Sequence, residues 1–127
     1  MESLRKNLDF KRVYDYKQSK ANQLLVMYKR PNGLETNRLG ISISRKVGKA
    51  VVRNRIKRIV KEQYRADDKA GVKQGYDLVI VARVALGELS PNTAFDEIGH
   101  ALINLLGRHG LRTSIVAKKQ SENMMKI

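Results

Sequence analysis

Few residues in this sequence could move a proton or hold a metal ion, and they are scattered along the chain. There is no cysteine, which excludes thiol nucleophiles, disulfides and zinc–cysteine sites. The two histidines, His100 and His109, lie on or near a predicted last helix, far in sequence from the most charged segment. Asp67 and Asp68 are neighbours in a predicted loop, and two adjacent carboxylates do not by themselves make a two-metal site. No nucleophile is paired with a base, so we predict no catalytic residue and no metal site in the protein itself.

Positive charge is the strongest signal in the sequence. The 127 residues include 26 Lys+Arg and 12 Asp+Glu, for a formal net charge of +14. Such an excess in a small chain indicates a polyanionic partner, and nucleic acid is the first candidate. Between residues 45 and 65, Glu62 is the only acid among nine cations, namely Arg45, Lys46, Lys49, Arg53, Arg55, Lys57, Arg58, Lys61 and Arg65. This segment is therefore the predicted surface for the partner.

The same segment has the apolar periodicity of a helix. One side of a helix predicted over residues 50–65 carries the apolar residues Val52, Ile56, Ile59 and Val60. We expect that side to pack on a sheet, which leaves the cations facing outward. The tripeptide Arg53-Asn54-Arg55 places an amide between two guanidinium groups. This combination suits phosphates together with sugar hydroxyls or base edges.

Three predicted strands accompany this helix. Residues 24–28 are apolar, and residues 39–44 alternate between apolar residues and Gly or Ser. We expect these two strands to pair as a hairpin. Residues 76–84 are apolar on both faces, which is typical of a central strand.

Two further helices are predicted. Asn7 is the predicted N-cap of a helix over residues 8–16, whose inner face carries Phe10, Val13 and Tyr14. Ser90 and Pro91 are typical first residues of a helix. The predicted apolar stripe of this last helix consists of Ala94, Phe95, Ile98, Leu102, Leu105 and Leu106. Residues from about 112 to 127 are predicted to form a flexible tail.

The order of these elements predicts the fold class. Helix, strand, strand, helix, strand, helix favours an α+β protein, a small α/β sandwich with three helices on a mixed sheet of three to four strands. The length suits a single domain. The first residues lack the apolar run of a signal peptide, and no apolar run is long enough to span a membrane. We therefore expect a cytoplasmic protein without a membrane partner.

Four segments resemble the bacterial ribonuclease P protein subunit. GKAVVRNRIKRIVKE, at residues 48–62, is similar to the signature helix of that family. NLDFKRVY resembles its first helix, LGISISRKVG the strand before the signature, and YDLVIVAR the last central strand. These segments follow the family's order between Asn7 and Arg83. The resemblance implies a single RNA-binding domain with a left-handed βαβ crossover around the signature helix.

The resemblance also implies a function. Members of this family are the protein partner of a catalytic RNA, and the holoenzyme removes the 5′ leader of precursor tRNA by phosphodiester hydrolysis. The active site and its Mg²⁺ would lie mainly in the RNA, with no cofactor intrinsic to the protein and no protein oligomer implied. The residues expected to contact the catalytic RNA are Arg45, Lys46, Arg53, Asn54, Arg55 and Arg58.

A separate cleft in the family holds the single-stranded leader. By motif position, the resemblance assigns this role to Phe10, Tyr14, Tyr28, Lys57 and Lys61. Aromatic faces can stack on unpaired bases, and lysines can follow the backbone. The family often has Phe at position 14 and Arg at position 61. Tyr at position 14 keeps the stacking face, whereas Lys at position 61 keeps the charge without the bidentate fork.

Several alternatives remain open from the sequence. A ribosomal or general RNA-binding protein would use the same cations without a leader cleft. A protein nuclease acting alone would cleave RNA without an RNA cofactor. A membrane-surface role is less consistent, because the core needs the apolar side of the basic helix. The aromatic residues Phe10, Tyr14 and Tyr28 could also be ordinary core or sheet-packing residues.

Overall fold

Five strands form one mixed sheet in the computed structural model, which describes residues 2–113. In chain order they are β1 (Glu2–Ser3), β2 (Ser19–Ala21), β3 (Leu25–Pro31), β4 (Arg38–Ser42) and β5 (Tyr76–Ala82). Their order across the sheet is β1-β4-β5-β3-β2. The predicted α+β class is confirmed, but three to four strands was too few. Strands β1 and β2 were missed because two or three exposed residues are too short to show an alternating pattern.

The predicted hairpin between the first two predicted strands, which correspond to β3 and β4, is wrong. Strand β5 lies between β3 and β4, antiparallel to β3 and parallel to β4. Leu78, Val79 and Ile80 of β5 are completely buried, which confirms the prediction of a central strand. Alternation along a strand identifies its inner face, but it does not identify the neighbouring strand. The most apolar strand takes the centre because both of its faces are covered.

The three predicted helices are present. They are α1 (Asn7–Asp15), α2 (Ala50–Gly71) and α3 (Pro91–Arg108), with short 3₁₀ turns at Arg45–Val47 and Val84–Glu88. Lys6 is the N-cap of α1, so the prediction that Asn7 caps this helix was wrong. Helix α2 continues six residues beyond the predicted end at 65, so Asp67 and Asp68 are helical rather than in a loop.

The helices cover both faces of the sheet. The larger core unites α2 and α3 with one face, through residues such as Met27, Ile56, Ile80 and Leu102. The smaller core places Val13 of α1 against Leu4 and Val79 on the other face. The alternation of β4 agrees with this division, because Leu39 belongs to the larger core while Gly40 faces Phe10 of α1. The prediction that Phe95 belongs to the buried stripe of α3 was wrong, since its side chain is exposed.

Strands β4 and β5 are parallel neighbours, and the chain between them contains α2. This is the connection in which the resemblance places a left-handed crossover, and its hand stays a prediction. Near the end of the described chain, Arg112 forms a β-bridge with Val72, and the Thr113 amide donates to the Gly71 carbonyl. The remainder of the predicted tail, residues 114–127, lies outside the described residues. No helix within residues 2–113 has the length and apolar character needed to cross a membrane.

An ion pair between Arg38 and the buried Asp77 joins the start of β4 to β5. Arg38 Nε and Nη2 donate to the two carboxylate oxygens of Asp77 at 2.8 and 2.7 Å, and Asn32 Nδ2 donates to Asp77 Oδ1 at 3.0 Å. Burial would raise the pKa of Asp77, but the hydrogen bonds from Arg38 and Asn32 outweigh it and lower the pKa below its ordinary value. The charged carboxylate therefore stabilises the folded state.

Asp77→Asn is expected to destabilise the protein by about 3 kcal/mol at neutral pH, because Arg38 would lose its buried partner. Since the folded pKa is lowered, the contribution of Asp77 is complete above the unfolded pKa of about 3.9 and disappears as the pH falls through the folded pKa. Urea unfolding between pH 2 and 7 should show a smaller acid-dependent loss in the variant. Asp15→Asn, which removes the exposed pair of Asp15 with Lys11, is the control. Parallel pH profiles for the parent and Asp77→Asn would contradict this account.

Candidate nucleic-acid interface

Helix α2 separates its apolar and cationic sides as its apolar periodicity predicts. Ile56, Ile59 and Val60 are buried against the sheet and α3, and Val52 is partly buried at the edge of that core. The predicted RNA-contacting residues lie on α2 or on the 3₁₀ turn before it. Four are exposed and two are half-buried. The exposed residues are Arg45, Lys46, Asn54 and Arg58, and the half-buried residues are Arg53 and Arg55. Core packing therefore holds a cationic surface in place.

Most cations of this surface have no acidic partner. In the described chain, α2 has one ion pair, Arg58 Nε to Glu62 Oε1 at 4.0 Å, and both side chains are largely exposed. Arg53 Nε donates to the Gly48 carbonyl at 3.2 Å, which fixes the guanidinium beside the start of the helix. Arg55 Nε is buried without a hydrogen-bond partner among the described residues. Unpaired guanidinium and ammonium groups on a fixed surface can bind phosphates.

The 3₁₀ turn that carries Arg45 and Lys46 packs on the second 3₁₀ turn, at Val84–Glu88. Val47 is buried in this contact. A Cβ at Gly87 would overlap the Val47 carbonyl oxygen, so only glycine allows the two turns to meet. Sequence reasoning missed Gly87, because a glycine needed for close approach resembles any other loop glycine.

Gly87→Ala is expected to separate the two turns. Because the clash is with backbone rather than with a flexible side chain, we expect a loss of about 1–3 kcal/mol in the free energy of unfolding. The amide NMR signals of Arg45 and Lys46 should shift most. Gly33→Ala is a poor control, because Gly33 has a φ of +72°. Ala85→Gly in the same turn is better. Unchanged signals at Arg45 and Lys46 would contradict the inference that the turn at Gly87 positions these two residues.

The three aromatic residues assigned to the leader form a row on the α1 face of the sheet. The ring centroids of Phe10 and Tyr14 are 6.5 Å apart, and those of Tyr14 and Tyr28 are 4.8 Å apart in an edge-to-face arrangement. Val13, between the two helix aromatics, is completely buried, whereas all three rings are half-buried. Each ring therefore packs in the smaller core and still presents part of its surface to solvent.

Gly40 makes room for this row. A Cβ built at Gly40 would lie 2.7 Å from Phe10 Cζ, so the ring lies directly on the backbone of β4. Sequence alternation placed Gly40 on this face, but it did not show that an aromatic ring covers it. The contact places the Phe10 side chain beside β4, near residues of α2.

Lys57 and Lys61 meet Phe10 at that edge. The three side chains line a cleft of about 430 Å³ together with Ser3, Leu4, Arg5, Leu39 and Ile41. Strand β1 supplies one wall of the cleft by pairing with β4. The structure therefore brings Phe10 together with Lys57 and Lys61, while Tyr14 and Tyr28 extend the aromatic row from Phe10 without lining this cleft. We call the cleft and the row together the aromatic cleft. Sequence reasoning missed Ser3 and Arg5, because the two-residue strand that positions them has no sequence pattern.

The two histidines and the helical Asp67 lie apart from the aromatic cleft within the part of the chain that the structure describes. His109 is buried, its Nε2 lies 2.8 Å from the Met27 carbonyl oxygen, and burial lowers its pKa. His100 is exposed on α3, while Asp67 is buried in α2. Within residues 2–113, no group of three or more His, Asp or Glu side chains is placed to hold a metal ion.

Comparisons with known proteins agree with this architecture. A family model described as Ribonuclease P matches residues 1–108. A ribonuclease P protein component of Clostridium botulinum is 46% identical over 108 residues, covering 85% of this chain and 94% of the relative. The component of Alkaliphilus oremlandii is 44% identical over 113 residues, covering 89% and 95%.

Solved structures match as well. The RNase P protein of Staphylococcus aureus has a TM-score of 0.78 at 30% identity, covering 89% of this chain and 99% of that chain. The RNase P protein of Thermotoga maritima has a TM-score of 0.74 at 35% identity, covering 85% and 97%. By sequence, by length and by fold, the chain belongs to the ribonuclease P protein family.

Proposed function

We propose that this chain is the protein subunit of ribonuclease P, which binds the catalytic RNA and the 5′ leader of precursor tRNA and promotes removal of the leader. Family membership supports a role in tRNA 5′ processing. The observation that carries the finer proposal is that one small domain has two separate surfaces with the chemistry to bind RNA. One is the cationic side of α2, on which Arg58–Glu62 is the single ion pair within the described chain, and the other is the aromatic cleft with its lysines.

The cationic side of α2 is the proposed contact for the catalytic RNA. Arg45, Lys46, Arg53, Asn54, Arg55 and Arg58 are the residues of this contact. Guanidinium forks can bind phosphate oxygens in pairs, and an amide can reach a sugar hydroxyl or a base edge. Because the apolar side of α2 is buried in the core, the cations approach the RNA as one preorganised surface. Preorganisation of the helix favours affinity, since little backbone entropy is lost on binding.

The aromatic cleft is the proposed contact for the leader. Phe10, Tyr14 and Tyr28 would abut successive unpaired bases, and Lys57 and Lys61 would follow the backbone. A single strand suits this cleft, because an unpaired base can place its face on an aromatic ring whereas a duplex cannot. Binding there would favour precursor tRNA over mature tRNA, which has no leader.

The reaction itself is assigned to the RNA. We propose that Mg²⁺ would be held mainly by the RNA, where it would assist phosphodiester hydrolysis, and that no residue of this chain acts as an acid, base or nucleophile. Lys57 and Lys61 would instead reduce the repulsion between phosphates of leader and catalytic RNA. This makes the chain a subunit of an endoribonuclease that acts in the cytoplasm.

Reconstitution tests the proposal. The purified protein, the catalytic RNA of its own source and a precursor tRNA are mixed at low Mg²⁺, and the mature 5′ end is measured. Cleavage is expected only when protein and RNA are both present. Cleavage by the protein alone would indicate a protein nuclease. Salt-sensitive RNA binding without any stimulation of cleavage would indicate a general RNA-binding protein.

A further inference from the structure

A second group of cations lies at the far edge of the sheet, around β2. A cavity of about 360 Å³ is lined there by Lys17, Gln18, Ser19, Lys20, Lys29, Arg108 and His109. We call it the edge pocket. Its four cations come from the chain after α1, from two strands and from the end of α3. No acidic side chain lines it, and none of its cations forms an ion pair within the described chain.

Lys29 is held at the inner wall of the edge pocket. Its Nζ donates to the His109 carbonyl at 2.9 Å and lies 5.4 Å from the centroid of the Tyr76 ring. Burial, followed by the charges of Lys73 and Lys20, lowers the pKa of this ammonium group. An anion placed in the pocket would relieve the repulsion between these cations.

Arg108 and His109 are held by the backbone of the strands. Arg108 Nη1 donates to the Ala21 carbonyl at 2.6 Å, and the His109 ring lies against the Met27 carbonyl. Both contacts join the end of α3 to the edge of the sheet. Hydrogen bonds therefore hold Lys29 and Arg108 in place, while Lys17 and Lys20 are exposed at the rim of the pocket.

Lys17 has an unusual backbone. Its φ is +60°, and it is the only residue other than glycine with a positive φ in the described chain. Glycine adopts this conformation with less strain than lysine does. A lysine at this position therefore puts a charge at the mouth of the pocket where a neutral glycine would fit the backbone better.

Protection of an exposed sheet edge does not account for the whole group. An edge lysine discourages pairing with another sheet, and Lys20 on β2 can serve this purpose. Lys29 lies on the inner neighbouring strand, and Arg108 lies on a helix. Four cations that converge on one cavity without an acid are better explained by an external anion.

We propose that the edge pocket binds a phosphodiester group of RNA, at a place separate from the α2 surface and the aromatic cleft. This proposal rests on the proposed function, which supplies RNA as the polyanion. Lys20 pairs with Met27 in the strand register, so its side chain points to the α3 face, whereas Tyr28 points to the α1 face. A strand in the aromatic cleft therefore lies on the opposite face of the sheet from the pocket.

The edge pocket is also distant from the Arg53–Arg55 segment. Lys73, whose charge acts on Lys29, follows the C-terminal end of α2, while Arg53 and Arg55 lie in its first turns. The 22 residues of α2 span about 33 Å. A phosphate in the pocket thus belongs to another part of the catalytic RNA or to the body of the tRNA.

Lys17→Gly with Lys20→Gln tests the proposal. The first substitution removes a charge and relieves backbone strain, so thermal stability should not fall. The control is Lys11→Gln with Lys69→Gln, which removes two charges from exposed positions on α1 and α2. Equilibrium binding is measured against salt concentration, first with the catalytic RNA and then with precursor and mature tRNA on the assembled holoenzyme. We expect about a tenfold loss of affinity near 0.1 M salt and a log–log slope shallower by about one unit per lost phosphate contact.

The two arms distinguish the source of the phosphate. A shallower slope with the catalytic RNA alone assigns the pocket to that RNA. A change confined to tRNA binding, equal for precursor and mature forms, assigns it to the tRNA body. Affinities and slopes that equal those of the Lys11, Lys69 control would overturn the proposal while leaving the proposed function intact. If the parent fails to reconstitute cleavage but its RNA binding still depends on Lys17 and Lys20, the proposed function fails and the pocket stands. A parent that binds no RNA would overturn both.

Discussion

Replacing Arg53 and Arg55 by alanine is expected to weaken binding to the catalytic RNA about a hundredfold. Loss of each guanidinium–phosphate contact removes a charge-assisted interaction of about 1.5–3 kcal/mol. Loss of both contacts should therefore weaken binding by at least about a hundredfold. The log–log dependence of affinity on salt should become shallower by about two units, one for each phosphate contact. The assay is equilibrium binding to the catalytic RNA between 0.05 and 0.5 M salt.

Two further variants separate charge from geometry. Arg53→Lys with Arg55→Lys keeps the charge but removes the fork, so the salt slope should remain while affinity falls by a smaller factor. Lys11→Ala with Lys69→Ala removes the same charge from exposed positions on α1 and near the C-terminal end of α2, away from Arg53 and Arg55, and should change affinity little. Arg53 also bonds to the Gly48 carbonyl, so thermal unfolding of each variant is measured in parallel. A parent-like salt slope in the alanine variant would rule out phosphate contacts at these positions.

Phe10→Ala is the second large prediction, and its effect should depend on the substrate. Contact between an aromatic ring and a base is worth about 1–3 kcal/mol, so the holoenzyme should bind precursor tRNA about tenfold more weakly. Mature tRNA has no leader, and its affinity should be unchanged. The ratio of the two dissociation constants, measured with and without a 5′ extension of several nucleotides, is therefore the informative quantity.

Leu8→Ala is the matched control, because Leu8 is an apolar residue on the same helix with an exposed side chain. Gly40→Ala tests the same contact by displacing the Phe10 ring instead of removing it. The added methyl group would lie 2.7 Å from the Phe10 ring and force the ring to move, so discrimination should fall although the ring is still present. Equal losses for precursor and mature tRNA would show that Phe10 acts through stability rather than through the leader. Binding is measured well below the unfolding temperature of each variant.

Local patterns in the sequence determined the type of each long element. The apolar period of about 3.6 residues identified all three helices, and alternation or continuous apolar character identified β3, β4 and β5. The concentration of cations in residues 45–65 identified the α2 surface, and the motif around Arg53-Asn54-Arg55 identified the family. These features could be predicted from the sequence because each depends on residues close together in the chain.

The ends of helices and the short strands were harder to predict from the sequence. Helix α2 was predicted to end at residue 65, with Asp67 and Asp68 in a loop, and β1 and β2 were missed. The reason is that an aspartate pair has low intrinsic helix propensity, which tertiary packing of a continuing helix overrides. A strand of two or three residues exists only because a neighbouring strand offers hydrogen bonds, so its own residues carry no signal.

The tertiary structure alone decided how these elements meet. It placed β5 between β3 and β4, which no alternation pattern could indicate, because strand order depends on contacts between residues 39 to 57 positions apart. That order put Phe10 of α1 on Gly40 of β4 and opened the cleft to Lys57 of α2. It also gathered Lys17, Lys20, Lys29 and Arg108 at one edge of the sheet. Charge and aromatic content can be read from a chain, but a binding site requires residues distant in sequence to converge, and folding alone brings them together.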